Sequence, residues 1–491
     1  MMQLNWHNLF YASLPINIII VTGFLVLLLG LFFRGKSGLK LLLVLSLAGV
    51  GASVASILHL WNQNFSVEIA MLSVDSFAYF FYLLLLAISF LSILAFFSYF
   101  NKQDNLYPEI FSLSLFSLSG MMVMVSTTHL LLFFLGLEVM SLAIYALVGI
   151  KRNDARSNEA AMKYFILGAM IAGFLLYGMS LLYGTTGTMD AKALSSAYKI
   201  PSQMLILKIG ILLVMVTFAF KVAAVPFHFW APDVYEGAPM PVTGFMSTAV
   251  KAAAFGSFIR IIQPLAALQW WDVGILVGVL SLTTMVIGNL VALYQTNIKR
   301  MLAYSSIAHA GYVLVGVTTL LGSSSLNPEL LAAPLFYLFA YSVITLGAFS
   351  ITSNLATAQD DRAELSSYYG LSKRSPFQAA AMAVFMLALT GIPPTVGFVG
   401  KFYIFREALN QGLYILVIVG VLMSAVSAYY YLRVIVAMYF VKEESPHAAT
   451  SSQFCWILGL ITIICLISTF YFGICPSKYF QFMRSSLSLL P

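Results

Sequence analysis

Four ionisable side chains lie inside long apolar stretches of this sequence, where charge is costly. They are Lys221, Lys251, Lys401 and Glu138, and we expect no other acidic residue to lie as deep. An ionised side chain at the middle of a bilayer costs roughly 2.5–3.5 kcal/mol on insertion scales. Such groups persist where they face a protein interior or water, and they then mark proton or ion pathways. The sequence therefore predicts proton or ion handling.

Glu138 and Lys221 are predicted to form a proton-switching pair. Burial disfavours the charged form of a lysine, whereas a neighbouring carboxylate favours it, so a lysine held between both influences can release and recover a proton. Lys221 also precedes Pro226 by five residues, and that proline leaves the Val222 carbonyl without its helical partner. A purely structural ion pair is the alternative. Lys251 lies some ten residues, or about 15 Å, into its own helix.

A polar stripe crosses a further apolar helix. Ser305, His309 and Tyr312 fall on one face at i, i+4 and i+7. Such a stripe can hold a water chain, and a histidine within it can relay protons near neutral pH. The alternative is a histidine that is hydrogen-bonded in the core without a transport role.

Two polar groups flank these residues. His228, Asp233 and Glu236 lie in PFHFWAPDVYEGAP, where they could gate proton uptake or satisfy a proline-rich turn. Lys163 follows Glu159 by four residues, the favourable order for a helical ion pair. A surface ion pair is the simpler interpretation of Lys163, and proton uptake is the other.

The composition identifies the class of protein that must position these residues. Of 491 residues, 61% are hydrophobic and 9% are charged, and mean hydropathy is +0.93. These values indicate an integral membrane protein built from helices of about 20 residues. The net charge of +7 is scattered over short loops, so nucleic-acid binding is not expected. Nucleotide-binding and metalloprotease motifs are missing, and Cys455, Cys465 and Cys475 lack iron–sulfur spacing. Any redox chemistry must therefore belong to a partner.

About fourteen apolar runs predict fourteen membrane spans, numbered 1 to 14 in chain order. The loops between spans fall into two alternating sets. The set that begins with the loop after span 1 holds about twice as many Lys and Arg residues as the other set, which includes the C-terminus. The richer set should be cytoplasmic, which places both termini on the outer face. The start of the chain has no basic residue before its first apolar run, so we expect an uncleaved first helix. The runs are 13–33, 39–61, 75–99, 108–127, 130–150, 161–183, 203–225, 241–263, 273–294, 301–321, 330–353, 377–404, 412–438 and 455–474.

A weak internal repeat relates spans 7 and 12. Span 7 ends in FKVAAVPFHFW, and span 12 carries LTGIPPTVGFVGKF, so each combines a lysine with helix-breaking prolines. Interrupted helices at corresponding positions of two halves point to the midplane site of a transporter. Span 12 follows span 7 by five spans, an odd number, so the two cross the membrane in opposite directions. The second unit would therefore be inverted relative to the first.

Three segments carry a family resemblance that spans nearly the whole chain. They are FKVAAVPFHFWAPDVYEGAPMPVTGFMSTAVKAA, NLVALYQTNIKRMLAYSSIAHAGY and LTGIPPTVGFVGKFYIF, in that order. With them the chain resembles the antiporter-like membrane subunits of proton-pumping NADH:quinone oxidoreductase (respiratory complex I), and within these it is most similar to the bacterial N type. Lys401 stands where the M type carries glutamate, and the chain stops at Pro491 without the long lateral helix of the L type.

The resemblance implies an all-α membrane fold with inverted repeats in spans 4–8 and 9–13 and breaks in spans 7 and 12. It implies that Glu138 and Lys221 form the switch, that Lys251 is the central lysine, and that Lys401 leads to the outer face. His309, His228 and Lys163 would occupy linking or uptake positions. The expected partners are the lipid bilayer and other membrane subunits, in a bacterial inner membrane. Quinone and NADH would be handled by the whole complex, with flavin mononucleotide and iron–sulfur clusters in partner subunits and no cofactor in this chain.

The expected organisation is one polytopic domain. Residues 1–105 would hold spans 1–3, 106–263 the first repeat, 273–440 the second, and 455–474 span 14. A subunit of a multi-chain Na⁺(K⁺)/H⁺ antiporter is the alternative function. It is disfavoured because the sequence suggests no intramembrane aspartate and no second deep carboxylate that could bind a bare cation. A purely structural scaffold would be a costly use of four deep charges.

Overall fold

The structure, a computed structural model, describes most of the chain as helices. It covers residues 6–33, 35–63, 65–69, 71–103, 107–193, 204–266, 271–322, 328–356, 363–442 and 455–487. Twelve helices in these ranges are long and apolar enough to cross a membrane. A shorter apolar helix, Glu109–Val125, and the two halves of span 12 complete the fourteen predicted spans.

The spans follow the predicted order, with ends that differ by a few residues. Aliphatic and aromatic runs of this length satisfy every backbone group within one helix, as the bilayer interior requires. Spans 1 to 6 are Trp6–Phe32, Lys36–Asn62, Ser76–Lys102, Glu109–Val125, Leu130–Val148 and Ala155–Thr186. Spans 9, 10, 11, 13 and 14 are Trp271–Ala292, Ile298–Gly322, Pro328–Leu355, Tyr414–Tyr439 and Trp456–Ile474.

Spans 7 and 12 are interrupted, as their prolines predict. Span 7a is Met204–Lys221 and span 7b is Trp230–Gly237, while span 12a is Pro376–Thr390 and span 12b is Val396–Asn410. Both interruptions contain a cis proline, at Val225–Pro226 and at Pro393–Pro394. Each interruption leaves helix-end carbonyls without helical partners inside the bundle.

Span 8 contains an irregularity that the sequence did not predict. It begins as an α-helix at Met240–Phe245, continues as a π-helical segment at Met246–Val250, and returns to α-helix at Lys251–Ala266. A π-helical segment widens one turn and is frequent at functional sites. Lys251 is the first residue after it.

The two ends of the bundle differ. A short antiparallel hairpin, β1 (Val67–Ile69) and β2 (Leu72–Val74), lies between spans 2 and 3 and pairs Val67 with Val74. We call this end the hairpin face and the end with the connection between spans 9 and 10 the basic face. The sequence analysis missed the hairpin because three-residue strands leave no periodic pattern.

Burial separates a central group of spans from a rim. Spans 8, 10 and 11 are almost entirely enclosed, whereas spans 1, 2, 6, 9, 13 and 14 are about one-third buried. Lys251 and His309 belong to the enclosed spans, and Glu138 belongs to span 5, which is about half buried. The fold therefore surrounds the central lysine and histidine with protein.

Candidate proton-transfer site

All three predicted lysines point into the protein. The exposed fractions of Lys221, Lys251 and Lys401 are 2%, 3% and 6%. An ammonium group so enclosed needs hydrogen-bond acceptors to offset its lost hydration. The structure supplies hydrogen-bond acceptors to each lysine, and each lysine lies in a span that is interrupted or irregular.

Lys221 is the last residue of span 7a, and its ammonium donates to Ser141 Oγ of span 5 over 2.8 Å. Its Nζ also lies 5.7 Å and 5.5 Å from the ring centres of Tyr145 and Tyr164. Aromatic faces attract a cation within about 6 Å. Ser141 is thus the direct partner of Lys221.

Glu138 lies one helical turn before Ser141 but faces a different environment. Its side chain is only partly buried, and its neighbours Leu135 and Val139 are 50% and 45% exposed on the outer surface of span 5. Its position in the middle of span 5 therefore does not enclose it in protein, because depth along a helix does not fix the face on which a residue lies. Ser141, which accepts the hydrogen bond from Lys221, lies one helical turn after Glu138, so the two opposite charges flank the same stretch of span 5.

Lys251 binds the neighbouring span rather than its own. Its Nζ donates to the backbone carbonyl of Ser306 in span 10 over 2.7 Å. The π-helical segment that precedes Lys251 allows span 8 to present the lysine at this point. The central lysine is therefore attached to the span that carries the polar stripe.

Lys401 caps the end of span 12a. Its ammonium donates to the carbonyls of Leu389 and Thr390 over 3.0 Å and 2.8 Å and to Ser424 Oγ over 2.8 Å. A cation is favourable at a helix C-terminus, where unpaired carbonyls concentrate negative charge. The Nζ also lies 4.9 Å from the ring centre of Tyr312 in span 10.

The predicted polar stripe of span 10 is present and larger than the sequence suggested. His309 Nδ1 lies 2.6 Å from the hydroxyl of Tyr337 in span 11, and its Nε2 lies 3.1 Å from that of Tyr431 in span 13. The Tyr431 hydroxyl also contacts Ser305 Oγ. The two tyrosines come from other spans, so helical spacing within span 10 could not reveal them.

Tyr312 extends this network to span 9. Asn289 Nδ2 donates to the Tyr312 hydroxyl over 3.3 Å, and the Tyr430 hydroxyl donates to Asn289 Oδ1 over 3.0 Å. Span 10 thus contacts Lys251 through Ser306 and Lys401 through Tyr312, with His309 between them. It is the element that connects the two lysines.

A polar cavity of about 400 Å³ opens on the basic face. Lys163 forms ion pairs of 2.8 Å with Glu159 and with Asp233, and Arg300 forms ion pairs of 2.8 Å with Asp233 and with Glu236. The expected Lys163–Glu159 pair is therefore present, and Asp233 is a further partner. These bonds join span 7b to spans 6 and 10.

His228 lies in the interruption of span 7 and is 8% exposed. Its ring packs against Phe229, with 4.7 Å between ring centres, and its Nδ1 has no partner among the described residues. The geometry is compatible with both roles that the sequence left open.

The sequence analysis missed three buried polar residues with structural partners. Lys299 is buried in span 10, and its Nζ donates to the carbonyls of Glu236 and Ala238 over 3.0 Å and 2.8 Å. Arg260 binds Asp75 in a buried ion pair near the hairpin face. The only sequence feature that pointed to Lys299 was the basic pair KR after span 9. No local sequence pattern indicated that Arg260 and Asp75 form an ion pair.

Glu407 is a buried carboxylate that the sequence analysis did not identify. It is 4% exposed near the end of span 12b, and Arg406 donates two hydrogen bonds to it. It was missed because its neighbouring arginine and its position near a helix end suggested a solvated pair. Among the described residues, no group of three or more His, Cys, Asp or Glu side chains could hold a metal ion.

Known proteins are similar to this chain along nearly its full length. Residues 127–427 match a family described as NADH:quinone oxidoreductase/Mrp antiporter, transmembrane. A subunit N of NADH-quinone oxidoreductase from Trichlorobacter lovleyi is 41% identical over 97% of this chain and 96% of its own. The subunit N from Myxococcus xanthus is 39% identical over 98% of both chains.

Solved structures agree. A chain of respiratory complex I from Thermus thermophilus is 34% identical, with a TM-score of 0.78 over 95% of this chain and 98% of its own. A chain of the Mrp complex from Dietzia has a TM-score of 0.81 at 20% identity, over 97% of each chain. The second likeness shows the fold alone.

Proposed function

This chain belongs to the NADH:quinone oxidoreductase/Mrp antiporter family of transmembrane proteins, and we propose that its buried lysines, Glu138 and His309 move protons across the membrane. It is a multi-pass membrane subunit of the N type in a proton-pumping NADH:quinone oxidoreductase. Electron transfer from NADH to quinone belongs to partner subunits of that complex. Flavin and iron–sulfur groups would reside there, and the chain would lie in a bacterial inner membrane.

The observation that carries the proposal is the position of span 10. It contacts Lys251 at Ser306, places His309 between two tyrosine hydroxyls, and places Tyr312 beneath Lys401. Hydroxyl and imidazole groups both donate and accept hydrogen bonds, so they can pass a proton onward without retaining charge. A rigid scaffold would not require this sequence of groups at mid-membrane.

The relay works from the basic face, which is cytoplasmic by its excess of Lys and Arg. A proton taken up near Lys163 or His228 reaches Lys251, passes His309, and leaves through Lys401. A change in the separation of Glu138 and Lys221 alters the stability of the charged lysine and pushes the proton onward. Each charge moved requires about 2.3 kcal/mol per 100 mV, which the redox reaction must supply.

The proposal is tested on the assembled complex reconstituted in vesicles. Lys251→Ala, Lys221→Ala and Glu138→Gln should each depress proton pumping and NADH:quinone turnover together, with the amount of assembled complex unchanged. Normal pumping in all three variants would contradict the proposal.

A multi-chain Na⁺(K⁺)/H⁺ antiporter subunit is the second candidate, because the family includes Mrp antiporters. Glu407 is a buried carboxylate, but it lies near the end of span 12b and Arg406 already neutralises it. Purification separates the two candidates. Copurification with flavin-bearing and iron–sulfur-bearing subunits supports the first, and Na⁺/H⁺ exchange in vesicles supports the second.

A further inference from the structure

Among the described residues, three buried hydroxyl groups near Lys251 make no hydrogen bond of standard geometry. They belong to Tyr235 in span 7b, Ser306 in span 10 and Thr345 in span 11, which are 1%, 1% and 4% exposed. Buried polar groups in native proteins are nearly always hydrogen-bonded to protein or ordered water. Three such hydroxyls in one region therefore indicate a small polar ligand that bonds to them.

The hydroxyls form one connected group of neighbours. Those of Tyr235 and Tyr341 both lie beside the Ser306 hydroxyl, and that of Tyr341 also lies beside Thr345. Ser306 Oγ nevertheless makes no direct hydrogen bond of standard geometry to any residue in the described ranges. An internal water needs two to four polar partners, typically about three, and these side chains supply that number.

The cluster includes a residue of the helix that lines the basic-face cavity and a residue that binds the central lysine. Tyr235 stands between Asp233 and Glu236 in span 7b, and both of those carboxylates line the cavity. Ser306 connects the cluster to the central lysine, because the Ser306 carbonyl accepts the hydrogen bond from Lys251 over 2.7 Å. A proton path from solvent to the lysine requires groups that both donate and accept hydrogen bonds, and hydroxyl groups do both.

We propose that Tyr235, Ser306 and Tyr341 bind internal water and form the uptake path from the basic-face cavity to Lys251. The inference rests on the proposed function and selects this route over His228. A proton that arrives at the Tyr235 hydroxyl displaces that group's own proton to the next water. The displacement repeats at Ser306 until the neutral amine of Lys251 becomes an ammonium. Each hydroxyl gains one proton and loses one, so none retains charge.

The Tyr341 ring also marks the onward direction. Its centre lies 5.0 Å from that of the His309 ring, the next group of the relay. Tyr341 therefore contacts both the uptake cluster and the histidine, and is a positioning residue for the water between them.

The test uses Tyr235→Phe, Ser306→Ala and the double variant in the assembled complex, with NADH-driven proton translocation in vesicles as the readout. Loss of one buried hydrogen-bonding group should slow translocation by about tenfold. The double variant should be no slower than the slower single variant, because both act on one path. Ser353→Ala is the matched control, because Ser353 is buried and its hydroxyl bonds to Phe349 O within its own helix.

Lys251→Ala in the same assay separates two kinds of failure. If Lys251→Ala pumps normally, the proposed function fails. If Lys251→Ala stops pumping while Tyr235→Phe and Ser306→Ala pump at the wild-type rate, the uptake path alone is wrong. If either hydroxyl variant does not assemble, a cryo-EM map of the wild-type complex decides. Water density bonded to Ser306 Oγ supports the path, and its absence in a map that shows other internal waters overturns it.

Discussion

His309 is held between two hydroxyls that come from different spans. Tyr337 and Tyr431 fix both ring nitrogens, so the imidazole cannot turn without breaking a hydrogen bond. A histidine held in this way can accept a proton on one nitrogen and release one from the other. The helical spacing of span 10 predicted the histidine and its serine neighbour, but not the tyrosines. Contacts between distant parts of a sequence leave no local pattern.

Tyr431→Phe should slow proton translocation without preventing assembly. The substitution leaves His309 Nε2 without its partner and costs about 1–3 kcal/mol at a buried site. Tyr429→Phe is the control, because Tyr429 is two residues away and 62% exposed. Vesicle acidification driven by NADH measures both variants, and equal rates would show that the Tyr431 hydroxyl has no part in transfer.

Ser141→Ala tests whether the serine connects Glu138 with Lys221. Its hydroxyl is the direct acceptor for the Lys221 ammonium, so its loss leaves a buried cation with one fewer partner. We expect pumping and NADH oxidation to fall together, with the effect of Glu138→Gln much smaller in this background than in the wild type. Fully additive losses in a double-mutant cycle would indicate that the two residues act independently.

At the scale of elements, the site depends on where helices are interrupted. Prolines made the interruptions of spans 7 and 12 predictable, since a proline removes a backbone donor wherever it stands. The π-helical segment before Lys251 has no such marker, because its residues, Met246–Val250, are compatible with an ordinary helix. The hairpin and the ion pair between Arg260 and Asp75 likewise depend on tertiary contacts.

Gly397→Ala should disrupt the interruption of span 12. A Cβ atom at this position would lie 1.9 Å from the carbonyl oxygen of Ala388, so spans 12a and 12b would have to separate. The carbonyls that bind Lys401 would move with span 12a, and pumping should fall. Gly173→Ala in span 6 is the control, since its Cβ atom would meet no atom within 4 Å. Equal pumping by the two variants would show that this close approach is unimportant.

Lys299→Met should loosen the attachment of span 7b to span 10. It leaves the carbonyls of Glu236 and Ala238 without this donor, and each buried unsatisfied group costs about 1–3 kcal/mol. The methionine retains the apolar stem of the lysine, so packing changes little. Thermal unfolding of the purified complex should begin at a lower temperature, and an unchanged transition would contradict the assigned role.

At the scale of the whole molecule, burial places the proposed relay residues of spans 8, 10 and 11 inside the protein. The enclosed spans 8, 10 and 11 carry Lys251, His309 and Tyr337, and the rim spans carry large apolar side chains outward. Glu138 is the exception, because it lies partly exposed on the surface of span 5. Hydrophobic runs predicted the number of spans, but they carry no information about which face of a helix meets protein.

In the proposed function, a hydrated polar corridor joins Lys251 to Lys401 through His309. The most direct measurement is a cryo-EM map of the assembled complex at a resolution that shows ordered water between spans 7, 8, 10 and 12. The account predicts water density that connects the two ammonium groups by way of the His309, Tyr337 and Tyr431 side chains. Dry apolar packing between Lys251 and Lys401 in such a map would contradict it.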